Sequence, residues 1–456
     1  MSSAPTGEPA RTSGSDGGTG SGGRAGPLDG ITVLDLTRLL PGGFCSQLLA
    51  DFGADVIKVE DTGAGDYIRH APPFYEPEQA GEGEQAGEGE ETGGEGKPED
   101  RLDASGTRSA LFLSLNRGKR SIRLNLKSDG GREAFIRLAS GADVILDGNR
   151  PGVNARLGVD YETVKQVNPG IVYCAITGYG QDGPNRDRAG HDINYLAATG
   201  MLGLTGRAGG PAVQPAGQVG DLGGGALPAA IGVMAALFEK QRSGLGQMVD
   251  ISMTDGALSW MAMVAGRHFA DGTVPKRGEL ELAGGLVCYL TYEAADGWVA
   301  CGALEPKFWQ AFCSGVGRPD LVEAQFDRPG SPGWEKTAGL FLSRTRAEWK
   351  AFNDEHDCCI EPILDLDEAL ESDLVSARGM VVEFDQPGIG PVRQLGNPVK
   401  LSETPAVTTR PAPAIGADTA DVLSAAGLSG EEITALFEAG EAAGPGGDFG
   451  ATGFRA

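Results

Sequence analysis

Short apolar runs alternate with longer amphipathic stretches through the first half of the chain. Positions 31–36 and 55–59 predict strands, with a helix over 44–52 between them. Further strands are predicted over 121–126, 142–146 and 170–177, the last bounded by Asn168-Pro169-Gly170, with helices over 130–139 and 161–167 between them. This β-α-β rhythm predicts a parallel sheet with helices on both faces. Longer helical patterns follow over 226–240 and 255–270. Glycines then return at 278–285, and short strands are predicted at 289–292 and 298–302, which marks a second, smaller domain. The segment 416–442 reads as helical again.

Composition adds boundaries. With 456 residues and 40% hydrophobic content, the chain is long enough for two domains of a globular enzyme. Residues 1–26 are small, polar and glycine-rich and predict a disordered tail, as do 444–456. Segment 76–106 repeats Gln-Ala-Gly-Glu-Gly-Glu from Gln79 and again from Gln85, and predicts a solvated insertion. Within 76–103, eleven acids against Lys97 and Arg101 give a local net of −9 out of the chain's −25. So acidic a protein is not expected to bind nucleic acid, and an anionic ligand would need a local basic pocket. The longest apolar run, 226–238, is shorter than the roughly 20 residues a bilayer span takes, so no membrane partner is expected. The N-terminus lacks the apolar core of a signal peptide, and the seven cysteines show no metal-ligand spacing. Reduced thiols in a cytoplasmic protein without a metal site are the expectation.

Candidate chemistry is sparse. Of four histidines, at 70, 191, 268 and 356, His191 sits beside a carboxylate, Asp192, in a glycine-flanked turn. About thirty residues later Asp221 opens the glycine-rich Gly220-Asp221-Leu222-Gly223-Gly224-Gly225 ahead of an apolar helix. A histidine and a carboxylate on opposite sides of a carbon acid can remove and return a proton. The three glycines would let backbone N–H groups approach a ligand. Asp192 is open to three readings: a turn cap, a group that holds His191 through hydrogen bonds, or a residue whose backbone N–H faces the enolate oxygen of such a carbon acid.

Five motifs then stand in one order: Gly190-His191-Asp192-Ile193-Asn194-Tyr195, the Gly220–Gly225 turn, the basic segment 115–131, the segment 149–158, and Gly302-Ala303-Leu304-Glu305-Pro306. Together they resemble the α-methylacyl-CoA racemase branch of the family III CoA-transferase (CaiB/BaiF-like) superfamily, from about residue 27 to about 443. The resemblance implies a Rossmann-like large domain with a parallel sheet, a smaller α+β domain, and an interlocked homodimer. It places the large domain at 27–255, a helical linker at 256–280, the small domain at 281–385, and a return to the large domain over 386–443. It implies an acyl-CoA thioester substrate, with coenzyme A part of that substrate and no other cofactor. His191 and Asp221 would exchange the roles of acid and base at the α-carbon, and Glu305 of one chain would approach His191 of the other. Read without the resemblance, Glu305 before Pro306 is a helix start. For coenzyme A the likeness points to Lys127, Arg150 and Arg156, with Arg120, Leu124, Gly148, Asn149 and Tyr195 as further contacts; Lys58, at the end of the second predicted strand where ligands meet parallel sheets, and Arg117, Lys119 and Arg123 in the basic segment add to the expected phosphate pocket.

Three positions depart from the family pattern. Gly284-Gly285-Leu286-Val287-Cys288-Tyr289 replaces an aromatic stretch that lines the acyl pocket; Asp61 stands in place of an arginine; and Asp418 stands in place of a histidine. Branched fatty acyl, steroid side chain and aromatic propionyl groups all remain open as substrates. Two other functions fit part of the pattern. A family III CoA-transferase would move CoA between acids through an acyl-Asp192 intermediate, and a non-catalytic protein would only bind the thioester.

Overall fold

The computed structural model describes residues 26–77 and 107–446. The predicted tails 1–26 and 444–456 and the insertion 76–106 lie, but for their inner ends, outside the described residues. Six parallel strands and one antiparallel edge strand form the large sheet: β1 (Thr32–Asp35), β2 (Asp55–Glu60), β3 (Arg120–Leu124), β4 (Val144–Asp147), β5 (Val172–Thr177), β6 (Met248–Ser252) and, far along the chain, β12 (Ala442–Ala443). Their order is β12-β3-β2-β1-β4-β5-β6. The direction of growth reverses between β1 and β4, and a crevice opens at the carboxyl ends of strands at such a switch.

The strand sequences explain this sheet. All six residues of β5 and all four of β4 are buried, as expected for parallel strands covered on both faces. Alternate residues then feed two cores. Leu34, Ile57, Ile122, Ile145 and Tyr173 face one side with Phe135 and Leu423. Val33, Val56, Val144, Val172 and Cys174 face the other with Leu49, Val233 and Ala236. The helix Asp129–Gly141 begins where Ser128 accepts the Gly131 N–H.

Smaller strands carry the rest. β7 (Tyr289–Ala294), β8 (Gly297–Gly302) and β9 (Ile360–Pro362) form an antiparallel sheet in order, and β10 (Val381–Gln386) pairs with β11 (Gly390–Leu395) as a hairpin. The small-domain core is aromatic: Trp309, Phe312, Phe341 and Trp349 are fully buried. Phe312 stacks on Phe341 at 5.3 Å, and both indole N–H groups reach backbone carbonyls, Leu321 O and Phe341 O.

Several sequence expectations are corrected here. The helix predicted over 255–270 is two helices, Met253–Ser259 and Ala262–Asp271, broken at Trp260-Met261. Segment 416–442 is also two helices, Thr419–Ala425 and Gly430–Glu438, separated at Gly427, whose φ of 86 a helix cannot hold. The predicted domain boundary at 385/386 falls inside the β10–β11 hairpin, whose Val392 packs with Ile68, Phe112 and Leu113 of the large domain. The apolar run at 226–238 is part of a longer rod. A π-helical segment, Val219–Ala226, runs directly into the helix Leu227–Ser243, giving 25 residues long and apolar enough to cross a membrane by length and composition. Half of its most apolar window is buried in this fold, where Ala229, Val233 and Ala236 pack on the sheet.

Candidate active site

The site stands at the carboxyl edge of the sheet. The chain leaves β5, turns through Gly178–Gly190 and enters the helix Asp192–Ala198. His191 is the residue before that helix; its backbone N–H donates to the Asn194 side chain at 3.0 Å, and its side chain is exposed. Asp192 opens the helix, where a carboxylate is favoured by the helix dipole. Its Oδ1 accepts the Asp221 backbone N–H at 2.9 Å. Two motifs thirty residues apart are thereby joined, and Asp192 holds Asp221. Burial, followed by the negative charge of Asp192, pushes the Asp221 carboxyl up to about 6. A carboxyl at that value can both give and take a proton near neutral pH.

Tyr195 lies beneath the turn. It is buried, its hydroxyl donates to Gly190 O, and its ring meets Tyr179 edge-on at 5.3 Å. Burial, then Asp221 and Tyr179, push its phenol up to about 12, so it remains a donor. Tyr195 therefore braces the backbone ahead of His191, and its side chain is not presented to coenzyme A.

The glycine triplet is likewise used inward. A Cβ on Gly223 would meet the Trp260 ring at 2.5 Å, on Gly224 the Met253 O at 2.6 Å, and on Gly225 the Met253 side chain at 2.8 Å. All three are buried. They let the π-helical segment approach Met253–Ser259, which corrects the expectation of N–H groups aimed at a ligand.

The expected coenzyme A contacts divide. Gly148, Asn149 and Arg150 follow β4 at the carboxyl edge; Gly148 packs on Thr37 at the switch point, and Arg150 is exposed and near enough to Tyr195 to act on its phenol. Arg156, on the helix Val153–Leu157, and Lys127, beyond the end of β3, are also exposed. The other candidates are committed elsewhere. Lys58 is sealed in the interior, with Nζ 2.8 Å from Asp66 and 3.0 Å from Thr37 O. Burial opposes its charge, but Asp66, Asp35 and Glu60 outweigh burial and raise its pKa. Leu124 is a core residue paired with Ala442. Arg120 opens β3 at the amino end of the sheet and pairs with Asp55. The basic crowd at 117–123 is largely internal too. Arg117 is bound to Asp51, Lys119 contacts Asn116, Gly43 O and Asp35, and Arg123 holds the carbonyls of Thr62 and Gly63.

The departures acquire structural roles. Asp61 accepts from Gly63 and Gly65 N–H and pairs with Arg38 at 2.8 Å. Arg38, just beyond β1 and half exposed, is a cation at this edge that the motifs did not single out. Only its place after the first strand could have signalled it. Asp418 accepts the Ser121 N–H at 2.8 Å and ties the C-terminal segment to β3. Leu286, Val287 and Cys288 fill the small-domain core, while Tyr289 lines a cavity of about 1530 Å³ together with Trp298, Trp334 and Gly302. None of His191, Asp192 and Asp221 lines that cavity. Glu305 precedes the helix Pro306–Gly315 on the small domain and is exposed; among the described residues no hydrogen bond or ion pair joins it to His191.

Sheet topology and site together are those of an α/β enzyme with acid–base groups at its strand ends. The chain belongs to CoA-transferase family III, whose profile matches residues 28–419. It is 33% identical over 414 residues to the α-methylacyl-CoA racemase of Homo sapiens, covering 90% of this chain and 96% of that one. It is 32% identical over 417 residues to the succinyl-CoA:mesaconate CoA-transferase of Haloarcula marismortui, covering 88% and 97%. A crystal structure of a CaiB/BaiF family protein from Brucella suis superposes with a TM-score of 0.71 at 27% identity, over 88% of this chain and 100% of that one.

Proposed function

We propose that the protein is an acyl-CoA racemase or epimerase that inverts the α-carbon of a 2-methylacyl-CoA. The observation that carries this reading is Asp221, a carboxyl lifted to about 6 and held by Asp192 close to the His191 turn. A carboxyl raised toward neutral can both take and give a proton, which two-way proton exchange requires, and His191 supplies the second proton-exchanging group. In one direction His191 removes the α-proton and Asp221 delivers one to the opposite face; in the other the roles reverse. The intervening enolate carries its charge on the thioester oxygen, where a backbone N–H at the amino end of the helix Asp192–Ala198 can stabilise it. Arg150, Arg156, Lys127 and Arg38 hold the anionic coenzyme A.

The active unit in this reading is a homodimer. Glu305 is remote in sequence from the His191 turn and unpaired with it, so a second chain brings the two together. Large apolar side chains support this: Ile231 and Phe238 on the helix Leu227–Ser243 are both 64% exposed, and Met263 and Phe269 on the helix Ala262–Asp271 are 76% and 82% exposed.

The CoA-transferases that match at nearly the same identity favour a second reading, in which Asp192 attacks the thioester. One experiment separates the two. An (R)-2-methylacyl-CoA is incubated with the enzyme in deuterated water without an acceptor acid. Racemisation places deuterium at C2. No exchange, with CoA passed to a carboxylate added afterwards, would replace the racemase reading with the transferase.

A further inference from the structure

A closed ring of hydrogen bonds lies under the loop that follows β4. Asn149 N–H donates to Asp147 Oδ1 at 2.8 Å. The other carboxylate oxygen, Asp147 Oδ2, accepts from the Tyr173 hydroxyl at 3.1 Å. That hydroxyl in turn accepts from Asn154 Nδ2 at 2.9 Å. Asn154 Oδ1 accepts from Asn149 Nδ2 at 2.9 Å, which returns the path to its start. Asp147, Asn154 and Tyr173 are 7%, 3% and 1% exposed, so water does not compete for these bonds.

The chemistry of the ring exceeds what the sheet needs. Tyr173 occupies a core position on β5, where a phenylalanine would fill the same volume without a buried hydroxyl to satisfy. Asp147 is a buried carboxylate with no cation in the ring, and a leucine or valine would suit the end of a core strand better. What the side chains of Asp147, Tyr173 and Asn154 do together is fix Asn149 at two points, its N–H and its amide. The next residue is Arg150, which is exposed at the carboxyl edge, and Asn154 lies in the helix Val153–Leu157, which carries Arg156.

We infer that Asp147, Tyr173 and Asn154 are positioning residues that hold the 148–156 loop in one shape, so that Arg150 and Arg156 meet the phosphates of coenzyme A already aligned. The inference rests on the reading of those arginines as coenzyme A contacts. Preorganisation lowers the ordering cost of binding, and a planar guanidinium is sensitive to its placement. The ring touches neither the acyl group nor the proton-exchanging side chains, so it acts on affinity for the nucleotide portion.

The test is a double-mutant cycle read by calorimetric binding of free coenzyme A to the full-length protein. Tyr173→Phe is expected to weaken binding about 5–20-fold, to raise KM for acyl-CoA by a similar factor, and to leave kcat within about twofold. In the Arg150→Ala background the same Tyr173→Phe change is expected to cost less than about twofold, because the residue it positions is gone. Asn154→Ala should reproduce the pattern and carries the test where Tyr173→Phe fails to fold. Unchanged affinity in the single variants, or an equal loss in both backgrounds, overturns the positioning role. Unchanged affinity in Arg150→Ala alone overturns instead the assignment of Arg150 to coenzyme A, so the two failures are distinguishable.

Discussion

Asp192 Oδ1 accepts the backbone N–H of Asp221 at 2.9 Å, so the carboxylate beside the histidine serves the second carboxylate and not the histidine. Asp192 thus fixes the place of Asp221 and, after burial, adds to the rise in its proton affinity. Asp192→Asn keeps an oxygen for that bond and removes the charge. The Asp221 carboxyl should then fall below its value of about 6, since one of its two causes is gone. A carbon-13 titration of the Asp221 carboxyl checks the shift; an unchanged midpoint would mean that burial alone sets it.

Asp192 also separates the two chemistries. In racemisation the thioester stays intact, so no acyl or coenzyme A adduct should appear on the protein after mixing with acyl-CoA. Intact mass measurement with hydroxylamine or borohydride trapping reads this directly, and an adduct mapped to Asp192 would establish the transferase.

His191→Ala should lower α-proton exchange by about 10²–10⁴-fold, the usual contribution of a positioned acid or base. Coenzyme A affinity should stay near that of the parent, because the phosphates are held elsewhere. If His191 and Asp221 each serve one face, His191→Ala and Asp221→Asn should slow exchange of the two substrate enantiomers unequally. Equal losses for both enantiomers would count against a two-base mechanism.

Asp221→Asn has a pH signature in stability. The native carboxyl is raised from 3.8 to about 6, so between those values the folded state binds more protons than the unfolded state. Stability from this group is therefore greatest below about pH 4 and is lost as pH rises through about 6. The amide carries no such penalty. Asp221→Asn should be more stable than the parent at pH 7 by on the order of 1 kcal/mol, a figure reduced for partial solvent access, with the advantage fading between pH 6 and 4. Denaturant titrations at the two pH values provide the comparison.

The close approach of the π-helical segment to Met253–Ser259 predicts a contrast between glycines. A Cβ on Gly256 would lie 1.9 Å from Gly224 O, and neither backbone can yield, whereas Gly266 has open space around its Cβ position. Gly256→Ala should destabilise by about 1–3 kcal/mol or more. Gly266→Ala, within the helix Ala262–Asp271, should be neutral or stabilising by up to about 1 kcal/mol. Thermal melts of the two variants side by side decide it.

If a second chain supplies Glu305, mixing two inactive variants should restore function. In a dimer of His191→Ala with Glu305→Gln, one site carries both changes and the other carries neither. Refolding the two together should recover about a quarter of parental exchange, the statistical share of intact sites. No recovery above the separate variants would place Glu305 outside the partner's site.

The parallel sheet was legible from sequence because β4 and β5 are short, largely apolar runs, a pattern that a sheet covered on both faces accepts. Ser128 and the glycine at 427 mark helix ends by local chemistry, although the single helix expected over 416–442 overlooked the second. His191 and Asp221 could be named as a pair because few residue types can move a proton near neutral pH. What sequence could not decide was the direction in which polar and basic side chains point. Lys58, Arg117, Lys119 and Arg123 read as a phosphate pocket, yet buried Asp66, Asp51 and Asp35 and backbone carbonyls take them up, and those partners are distant along the chain. The same holds for Gly223, Gly224 and Gly225, whose lack of side chains serves a helix thirty residues on. Periodicity and residue chemistry are local and survive in the linear chain. Which charges meet, which carboxylate raises which, and which arginine is left facing solvent depend on contacts that exist only after the chain folds.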